Sequence, residues 1–467
     1  MGVVVVKVWG FLARRIIKLG LVLTGLVVLQ SGEALQAQAW WDSAPNGIPS
    51  PSIATSLPHR GDPAGIRKRL ADFGVIYGFE YTNDVLSNLR GGNRTGTIDQ
   101  GKLHGIVTVD LEKLAGWQGL TLFSNFFHIH NTGRIRRDYV GGINTIAAIE
   151  AVPTTRLSEL WLEQKFADGR ASIRVGQLAA DTEFYFSGLS GMYLQSDWPI
   201  NAGLNLPSGG PSYPLSTPGV RLKVEPSRDV AVLLAVFNGD PAGPGDGDDQ
   251  ERNKHGLNFR MRDPAFVIGE AQFRRNHGEK ATGLAATLKL GGWYHFGRFD
   301  DQLVATGGTL LADPAGSGVP ITHRGNHGLY AVVDQQIYRP KLGDDQTGIF
   351  IFGRASISPS AQNVASLFVD GGVLFSGMIP DRPDDKFGAS VMYTRFADSI
   401  REFDRQAIFF TGVPGPIRDY EANLEFTYQA QVVPGWTVQP VLTRVWHPNG
   451  DKSRNAVVAG VRSLWRF

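Results

Sequence analysis

The stretch YEANLEFTYQA at residues 420–430 decides the fold class, because its apolar and polar residues alternate without a break. The even-numbered positions are Tyr, Ala, Leu, Phe, Tyr and Ala, and the odd-numbered positions are Glu, Asn, Glu, Thr and Gln. A period of two residues is typical of a β-strand with one apolar face and one polar face. The stretch therefore predicts a strand whose two faces meet different surroundings.

Two further alternating stretches complete the chain. A Val433-Pro434-Gly435 turn leads into residues 436–446, which begin and end with tryptophan, and residues 457–467 end on Trp465 and Phe467. At about 3.3 Å per residue and a tilt near 45°, ten residue steps cover about 25 Å, the height of the apolar band on an outer-membrane barrel. These strands predict the closing hairpins of a membrane-spanning barrel.

Length and composition agree with one large barrel. The chain has 467 residues, of which 42% are hydrophobic and 19% charged, and it has no cysteine. A soluble chain of this length usually divides into two or three domains. The lack of cysteine suits passage through an oxidising periplasm. The net charge falls from +2 to −1 when four basic residues and one acidic residue of the leader are subtracted, so nothing points to nucleic acid as a partner.

The N-terminus reads as a secretory signal peptide. Basic residues precede an apolar run at residues 19–29, and Ala37-Gln38-Ala39 is an A-x-A cleavage site. The apolar run is too short for a transmembrane helix. We expect a signal peptide at residues 1–39 and a periplasmic tail at residues 40–71. The barrel is expected at residues 72–467. Asp62 and Pro63 predict the start of a short helix through Leu70.

The alternation predicts an all-β fold, a sixteen-stranded antiparallel transmembrane β-barrel with a short N-terminal helix. Residues 256–262 are left in a loop because Asp263-Pro264 interrupts the pattern. The predicted strands are residues 72–82, 102–112, 119–130, 157–166, 171–177, 219–225, 229–238, 266–275, 281–296, 328–338, 347–358, 366–376, 386–396, 419–431, 436–446 and 457–467.

Linker lengths support the even strand number. Short linkers alternate with long ones at residues 178–218, 239–265, 297–326 and 397–418, although residues 359–365 are short for an outside loop. Sixteen strands enclose an aqueous channel, so inward faces should be polar and face water. The predicted inward pairs and triplets are Asp110 with Glu112, Glu159 with Glu163, Arg221 with Lys223 and Glu225, and Glu421 with Glu425. Because both charge signs occur, the lumen suits a polar, largely neutral solute.

The ordered motifs resemble the carbohydrate-selective porins of the OprB family over nearly all of the mature chain. The motifs are RKRLADFG at 67–74, VGQ at 175–177 with Asp181, Tyr213-Pro214, VFNGDP at 236–241, GGWYH at 291–295 with GRFDD at 297–301, RPDD at 382–385, Tyr420-Glu421, Gln439-Pro440, His447-Pro448 and Phe467. The resemblance implies a sixteen-stranded diffusion channel for sugars with loops folded inward. The constriction residues below are inferred from this sequence alone.

Residues 178–218 form the longest predicted loop and the main constriction candidate. The loop contains carboxylates, an amide and aromatic rings, which can meet the hydroxyls and C–H faces of sugars. These residues are Asp181, Glu183, Tyr185, Asp197, Trp198 and Asn201. The alternative is a loop that lies over the mouth and contacts lipopolysaccharide or a neighbouring subunit.

Two further groups are candidates for the lumen. Trp161 lies between Glu159 and Glu163 on one strand face, where it would be a stacking platform for a sugar ring, unless a register slip turns it to lipid. Basic residues would face the acids across the channel, or else remain solvated or bind lipid phosphates. These basic residues are Arg134, Arg136, Arg137, Arg174 and Arg354.

No metal or cofactor is expected. His128 and His130 alternate on one strand, and acidic residues cluster at Asp246, Asp248, Asp249 and Glu251, but neither set has an established ligand spacing. A polar strand end and a solvated loop are the simpler interpretations.

The leading functional hypothesis is a passive outer-membrane channel for sugars such as glucose and other small polar solutes. A non-selective porin is the alternative. A barrel hydrolase is a weaker one, because none of the ten histidines adjoins a G-x-S-x-G motif. An energised receptor would need about twenty-two strands and a plug domain. The expected partners are carbohydrates, outer-membrane lipid with lipopolysaccharide, and further copies of the chain in a homo-trimer.

Overall fold

A computed structural model describes residues 47–278 and 281–467. Sixteen strands form one closed antiparallel barrel, which confirms the predicted fold class and strand number. The strands are β1 Val75–Arg90, β2 Gly96–Asp110, β3 Leu120–Asn131, β4 Thr154–Phe166, β5 Ala171–Leu178, β6 Thr217–Ser227, β7 Val230–Asn238, β8 Ala265–Arg275, β9 Ala286–Ala305, β10 Pro320–Tyr338, β11 Gly348–Ile357, β12 Ala365–Ser376, β13 Lys386–Phe396, β14 Tyr420–Val433, β15 Trp436–Trp446 and β16 Ala456–Arg466. The predicted leader lies outside the described residues.

The barrel closes through the pairing of β1 with β16. Tyr81 lies opposite Trp465, and the backbone N–H of Phe467 donates to the carbonyl of Phe79 at 2.8 Å. Each strand otherwise pairs with its sequence neighbours. The C-terminal strand, which is predicted from its alternation, is thus one side of the seam of the barrel.

Five α-helices lie among the described residues, outside the sixteen strands. They are α1 Ile66–Asp72, α2 Leu111–Ala115, α3 Ile200–Asn205, α4 Asp249–Arg252 and α5 Asp398–Thr411. None of the helices in residues 47–278 and 281–467 has the length and apolarity needed to cross a membrane. Helix α1 begins later than predicted, at Ile66. Asp62 still caps it, because its carboxylate accepts from the N–H groups of Arg67 and Lys68.

Some predicted strand ends are wrong. The alternation predicts a strand at residues 281–296 and a loop at residues 297–326, but β9 and β10 extend through most of that loop and leave only residues 306–319 between them. Strand β1 likewise continues to Arg90. The extensions of β9 and β10 stand beyond the apolar band, where both faces meet water and the alternation that marks a strand is lost. Residues 83–90 of β1 pair with β16 and mix polar and apolar side chains on both faces, so the alternation does not mark them.

Side chains alternate between an apolar outer face and a mostly polar inner face. Outward residues such as Val232, Leu234 and Val236 of β7 are exposed, whereas the inward residues between them are buried. The predicted inward pair of Asp110 and Glu112 is wrong. Asp110 caps α2 by accepting from the N–H groups of Glu112 and Lys113, so Glu112 is exposed in a helical turn.

Candidate channel constriction

The β5–β6 loop, residues 179–216, lies inside the barrel and crosses it. Its main-chain and side-chain groups hydrogen-bond to residues on eight consecutive strands. From β8 to β15, these residues are Glu270, Lys289, Asp334, Arg354, Val373, Ser390, Glu425 and Gln439. The loop starts and ends on β5 and β6, so it reaches the opposite wall and narrows the lumen.

The β3–β4 loop, residues 132–153, enters the barrel beside it. The carboxylate of Glu421 on β14 accepts from the N–H groups of Ile143 at 2.8 Å and Asn144 at 2.9 Å. The two loops also contact each other, since the Thr145 hydroxyl donates to Asp197 Oδ2 at 3.2 Å. The lumen is therefore divided by two loops that brace one another.

Inward acids on β14 hold these loops and do not face open water as the sequence predicts. Glu425 accepts from the N–H groups of Leu194 and Gln195, each at 2.9 Å, and Glu425 and Glu421 are fully buried. Asn423 between them donates to the carbonyl of Thr145 at 3.1 Å. These residues point inward as predicted, but the prediction that they face water is wrong.

Four buried charges anchor the start of the β5–β6 loop to the wall. Glu163 on β4 and Glu183 in the loop each contact both Arg174 on β5 and Arg221 on β6, at nitrogen–oxygen distances between 2.8 and 3.4 Å. Glu159 accepts from the N–H of Ala179 at 3.2 Å. Glu159, Glu163, Glu183 and Arg174 thus serve to hold the loop.

The Trp161 indole points inward but has neighbours on both sides. Phe123 on β3 stacks on it with ring centroids 4.7 Å apart, and the guanidinium carbon of Arg174 on β5 lies 3.7 Å from its centroid. Because β3 and β5 flank β4, these groups cover the indole from opposite directions. The geometry therefore does not support the predicted stacking platform.

The aromatic rings of the β5–β6 loop are also buried. Tyr185 stacks on Tyr330 of β10 with centroids 4.2 Å apart, and Trp198 packs edge-on against Tyr185. Trp198 is 6% exposed, so its ring offers little surface to a solute. Asn201 accepts from the Ser356 hydroxyl at 2.6 Å.

Asp181 and Asp197 are the two half-buried acids of the loop. Asp181 Oδ2 accepts from the Tyr213 N–H at 2.7 Å, while Oδ1 has no hydrogen-bond partner among the described residues. Burial raises the pKa of Asp181 to about 7, and the charge of Asp197 adds to the increase. Burial likewise raises the pKa of Asp197 to about 6.

Two cations near Tyr213 are further candidates that the sequence analysis does not name. Lys102 on β2 makes no hydrogen bond or ion pair with another described residue, and its ammonium lies 4.9 Å from the Tyr213 ring centroid. Arg156 on β4 is 2% exposed, and its three guanidinium nitrogens have no partner in the described part of the chain. The charges of Asp181 and Asp197 both act on Lys102. The alternation could have identified Lys102, because it occupies an inward position of its strand.

The basic loop does not form one cluster. Arg134 and Arg137 bind Asp248 of the β7–β8 loop, at 3.0 and 2.6 Å, whereas Arg136 pairs with Glu150 of its own loop. Arg354 binds Asp370 on β12 and the carbonyl of Asp197. Arg134 and Arg137 thus join two loops at the mouth.

The remaining acidic and histidine candidates form no metal site. Asp249 pairs with Arg252 and Glu251 with Lys254, while His128 contacts Thr155 on the outer surface. Within residues 47–278 and 281–467, no group of three or more His, Cys, Asp or Glu side chains could hold a metal ion.

Comparison with known families gives a match over most of the barrel. The carbohydrate-selective porin family, OprB, matches residues 94–467. This chain belongs to the OprB family of carbohydrate-selective porins.

Individual members of the OprB family agree with this assignment. Porin B of Pseudomonas aeruginosa (strain PAO1) is 26% identical over 428 residues, which cover 86% of this chain and 89% of that protein. The high-pH structure of Pseudomonas putida OprB superposes with a TM-score of 0.75 at 21% identity, over 87% of this chain and 97% of that one. The low-pH structure of the same protein gives a TM-score of 0.52 at 18% identity with the same coverage. At these identities the two structures establish the fold.

As an OprB porin, the protein is an outer-membrane channel with a preference for carbohydrates. Family and fold point to a channel and not to an enzyme. Bacterial barrels carry short turns on the periplasmic side and long loops outside. The β3–β4 and β5–β6 loops therefore enter the barrel from the outer side.

Proposed function

We propose that sugars such as glucose cross this channel at a constriction formed by the β3–β4 and β5–β6 loops, beside Asp181, Asp197, Lys102 and Arg156. The supporting observation is the set of polar groups near Tyr213 that have no protein partner. Arg156 and Lys102 are unused donors, and Asp181 Oδ1 is an unused acceptor. A buried polar group without a partner is costly, so water or a solute hydroxyl must satisfy each of them.

The mixture of donors and acceptors favours a neutral polyhydroxylated solute. A sugar hydroxyl both donates and accepts, so it can bind the acid and the cations in turn. A simple ion meets attraction from one group and repulsion from the other. The other candidates of the β5–β6 loop, Glu183, Tyr185 and Trp198, act in this proposal by holding the loop in shape.

Single-channel recording in planar bilayers tests the constriction. Asp181→Asn with Asp197→Asn should shorten each block of the current by glucose. It should also reduce cation preference, because two charges leave the narrowest region. The matched control is Asp246→Asn with Asp384→Asn, which removes two exposed acids elsewhere. Unchanged block and selectivity in the first variant would place the constriction elsewhere.

Lys102→Gln and Arg156→Gln test the donors separately. Each substitution keeps a hydrogen-bonding amide but removes a cation, so sugar block should weaken by several-fold while the barrel still folds. Liposome swelling with a panel of sugars and polyols would show which solutes depend on these donors. Equal swelling rates for every solute in all variants would favour the non-selective alternative.

Maturation and surroundings complete the proposal. We propose that residues 1–39 are removed as a signal peptide, leaving Trp40 as the first residue, and that lipopolysaccharide surrounds the outer rim of the barrel. The intact mass of protein from outer membranes would test the cleavage. A mass that includes residues 1–39 would contradict it.

A further inference from the structure

One outside loop contacts both of the loops that narrow the lumen. It is the β7–β8 loop, residues 239–264. On one side, the carboxylate of Asp248 binds two arginines of the β3–β4 loop. On the other side, the carboxylate of Asp240 accepts from the hydroxyl of Ser208 in the β5–β6 loop at 2.5 Å. The β7–β8 loop therefore links the two inward loops at the outer end of the barrel.

The β7–β8 loop has a fixed base on the barrel wall. Strand β4 pairs with β5 only from Leu160 onward, so residues 154–159 extend past the outer end of β5. There the carbonyl of His255 accepts from the N–H of Leu157 at 3.0 Å. Gly256 permits this approach, because its φ is +66° and a Cβ at this position would lie 1.9 Å from the carbonyl oxygen of Leu157. The loop thus occupies the place beside β4 that β5 leaves free.

Asp248 joins this fixed base to the β3–β4 loop. Its Oδ2 atom accepts from Arg134 at 3.0 Å and from Arg137 at 2.6 Å. Its Oδ1 atom accepts from the N–H of Gln250 at 3.0 Å and so caps α4. A second link is neutral, since the side-chain oxygen of Gln250 accepts from the N–H of Val152 at 2.7 Å. Hydrogen bonds between charged groups are roughly twice as strong as neutral ones, so Asp248 makes the stronger link.

The β3–β4 loop carries the effect of this link to the constriction. Further along that loop, the hydroxyl of Thr145 donates to Asp197 Oδ2 at 3.2 Å. Without the charge of Asp248, the two guanidinium groups that share its Oδ2 atom would repel each other. The outer end of the β3–β4 loop would then be released, while Glu421 still holds the N–H groups at its inner end. The passage beside Asp197 would widen.

We propose that Asp248 is a positioning residue that sets the largest carbohydrate the channel admits, because it holds the β3–β4 loop against the β7–β8 loop. This inference rests on the proposed constriction. Asp248 contacts no solute in this role and acts through Arg134 and Arg137 on the position of Thr145. With the link intact, the channel passes monosaccharides and slows longer sugar chains. With the link broken, the longer chains pass more easily.

Liposome swelling with glucose and with maltotriose tests the size limit. The variant is Asp248→Asn, because asparagine caps a helix about as well as aspartate does but carries no charge. The swelling rate for maltotriose relative to glucose should rise about threefold or more, since selectivity by size follows pore diameter. The matched control is Asp246→Asn, which removes an exposed acid of the same loop and should leave the ratio unchanged. An unchanged ratio in folded Asp248→Asn, or an equal rise in the control, would overturn the proposal.

A reversible cross-link separates positioning from folding. The chain has no cysteine, so Arg137→Cys with Asp248→Cys can be joined by a short, reducible bis-methanethiosulfonate linker. We expect the unlinked double variant to behave like Asp248→Asn, and the linked protein to regain the wild-type ratio. Reduction with dithiothreitol should raise the ratio again. A ratio that does not respond to linking would overturn the proposal.

The wild-type channel distinguishes this inference from the proposed constriction. A wild type that passes glucose and maltotriose equally fast would contradict the constriction, and with it the role of Asp248. A wild type that favours glucose, with folded variants that keep the same preference, would contradict the role of Asp248 alone.

Discussion

The carboxylate of Glu425 on β14 accepts a hydrogen bond from the backbone N–H of Leu194 at 2.9 Å, although 231 residues of sequence separate them. The neighbouring N–H of Gln195 binds the other carboxylate oxygen at the same distance. One inward side chain of the wall thus holds the middle of the β5–β6 loop. The width of the channel depends on contacts of this kind.

Glu425→Ala should release the middle of the β5–β6 loop. Hydrogen bonds to a charged group contribute about 1.5–3 kcal/mol, and two backbone N–H groups would lose their acceptor. We expect larger and noisier single-channel currents. We also expect the band of the folded barrel on gels to disappear at a lower temperature. The control is Glu402→Ala on the exposed side of α5. Quiet currents of wild-type size in Glu425→Ala would contradict a holding role.

Glu183→Ala should destabilise the barrel more than it alters selectivity. Arg174 and Arg221 would each lose a carboxylate partner inside the wall. Removing one partner of a buried ion pair costs about 3–5 kcal/mol, whereas an exposed pair contributes about 1 kcal/mol or less. The free energy of unfolding in urea, with Glu251→Ala as the exposed control, measures the difference. Similar losses in both variants would show that the cluster is not structural.

Cation preference should fall on acidification through the range between pH 8 and pH 5. Burial raises the pKa of Asp181 to about 7 and that of Asp197 to about 6. An acid with a raised pKa becomes neutral at a higher pH than usual, so both charges are present at pH 8 and mostly absent at pH 5. Reversal potentials in a KCl gradient report the change. In Asp181→Asn with Asp197→Asn the preference should be flat over this range, and the same pH dependence in that variant would assign it to other groups.

Arginine should be unfavourable on both faces of β14, for different reasons. Phe426→Arg places a charge against lipid, which costs about 2–4 kcal/mol near the membrane centre. The sequence alone predicts that Asn423→Arg is tolerated because it faces water, but Asn423 is buried beneath the β3–β4 loop. We therefore expect Asn423→Arg to displace that loop and to increase conductance, while Phe426→Arg lowers barrel yield without a change in conductance. Wild-type currents from Asn423→Arg would instead support the prediction that this position faces water and tolerates arginine.

The sequence determined the barrel because the residues of each strand alternate according to the two environments that its faces meet. In residues 420–430, lipid on one side and the interior on the other select alternate residues, so direction and face follow from the residues of one strand. The same reasoning identified Glu159, Glu163 and Trp161 as inward residues, and their burial agrees. Where both faces meet water, as at the start of β10, the alternation disappears and the predicted strand end is wrong.

Only the tertiary structure decided what the inward side chains contact. A glutamate that faces water and one that binds the N–H groups of a loop have the same place in the alternation. The partners of Glu421 at Ile143 and Asn144 are 278 and 277 residues away, and they donate backbone groups that every residue except proline possesses. No side-chain pattern in the sequence indicates such a pair. The narrowing of the channel therefore follows only from the position of the loops inside the closed barrel.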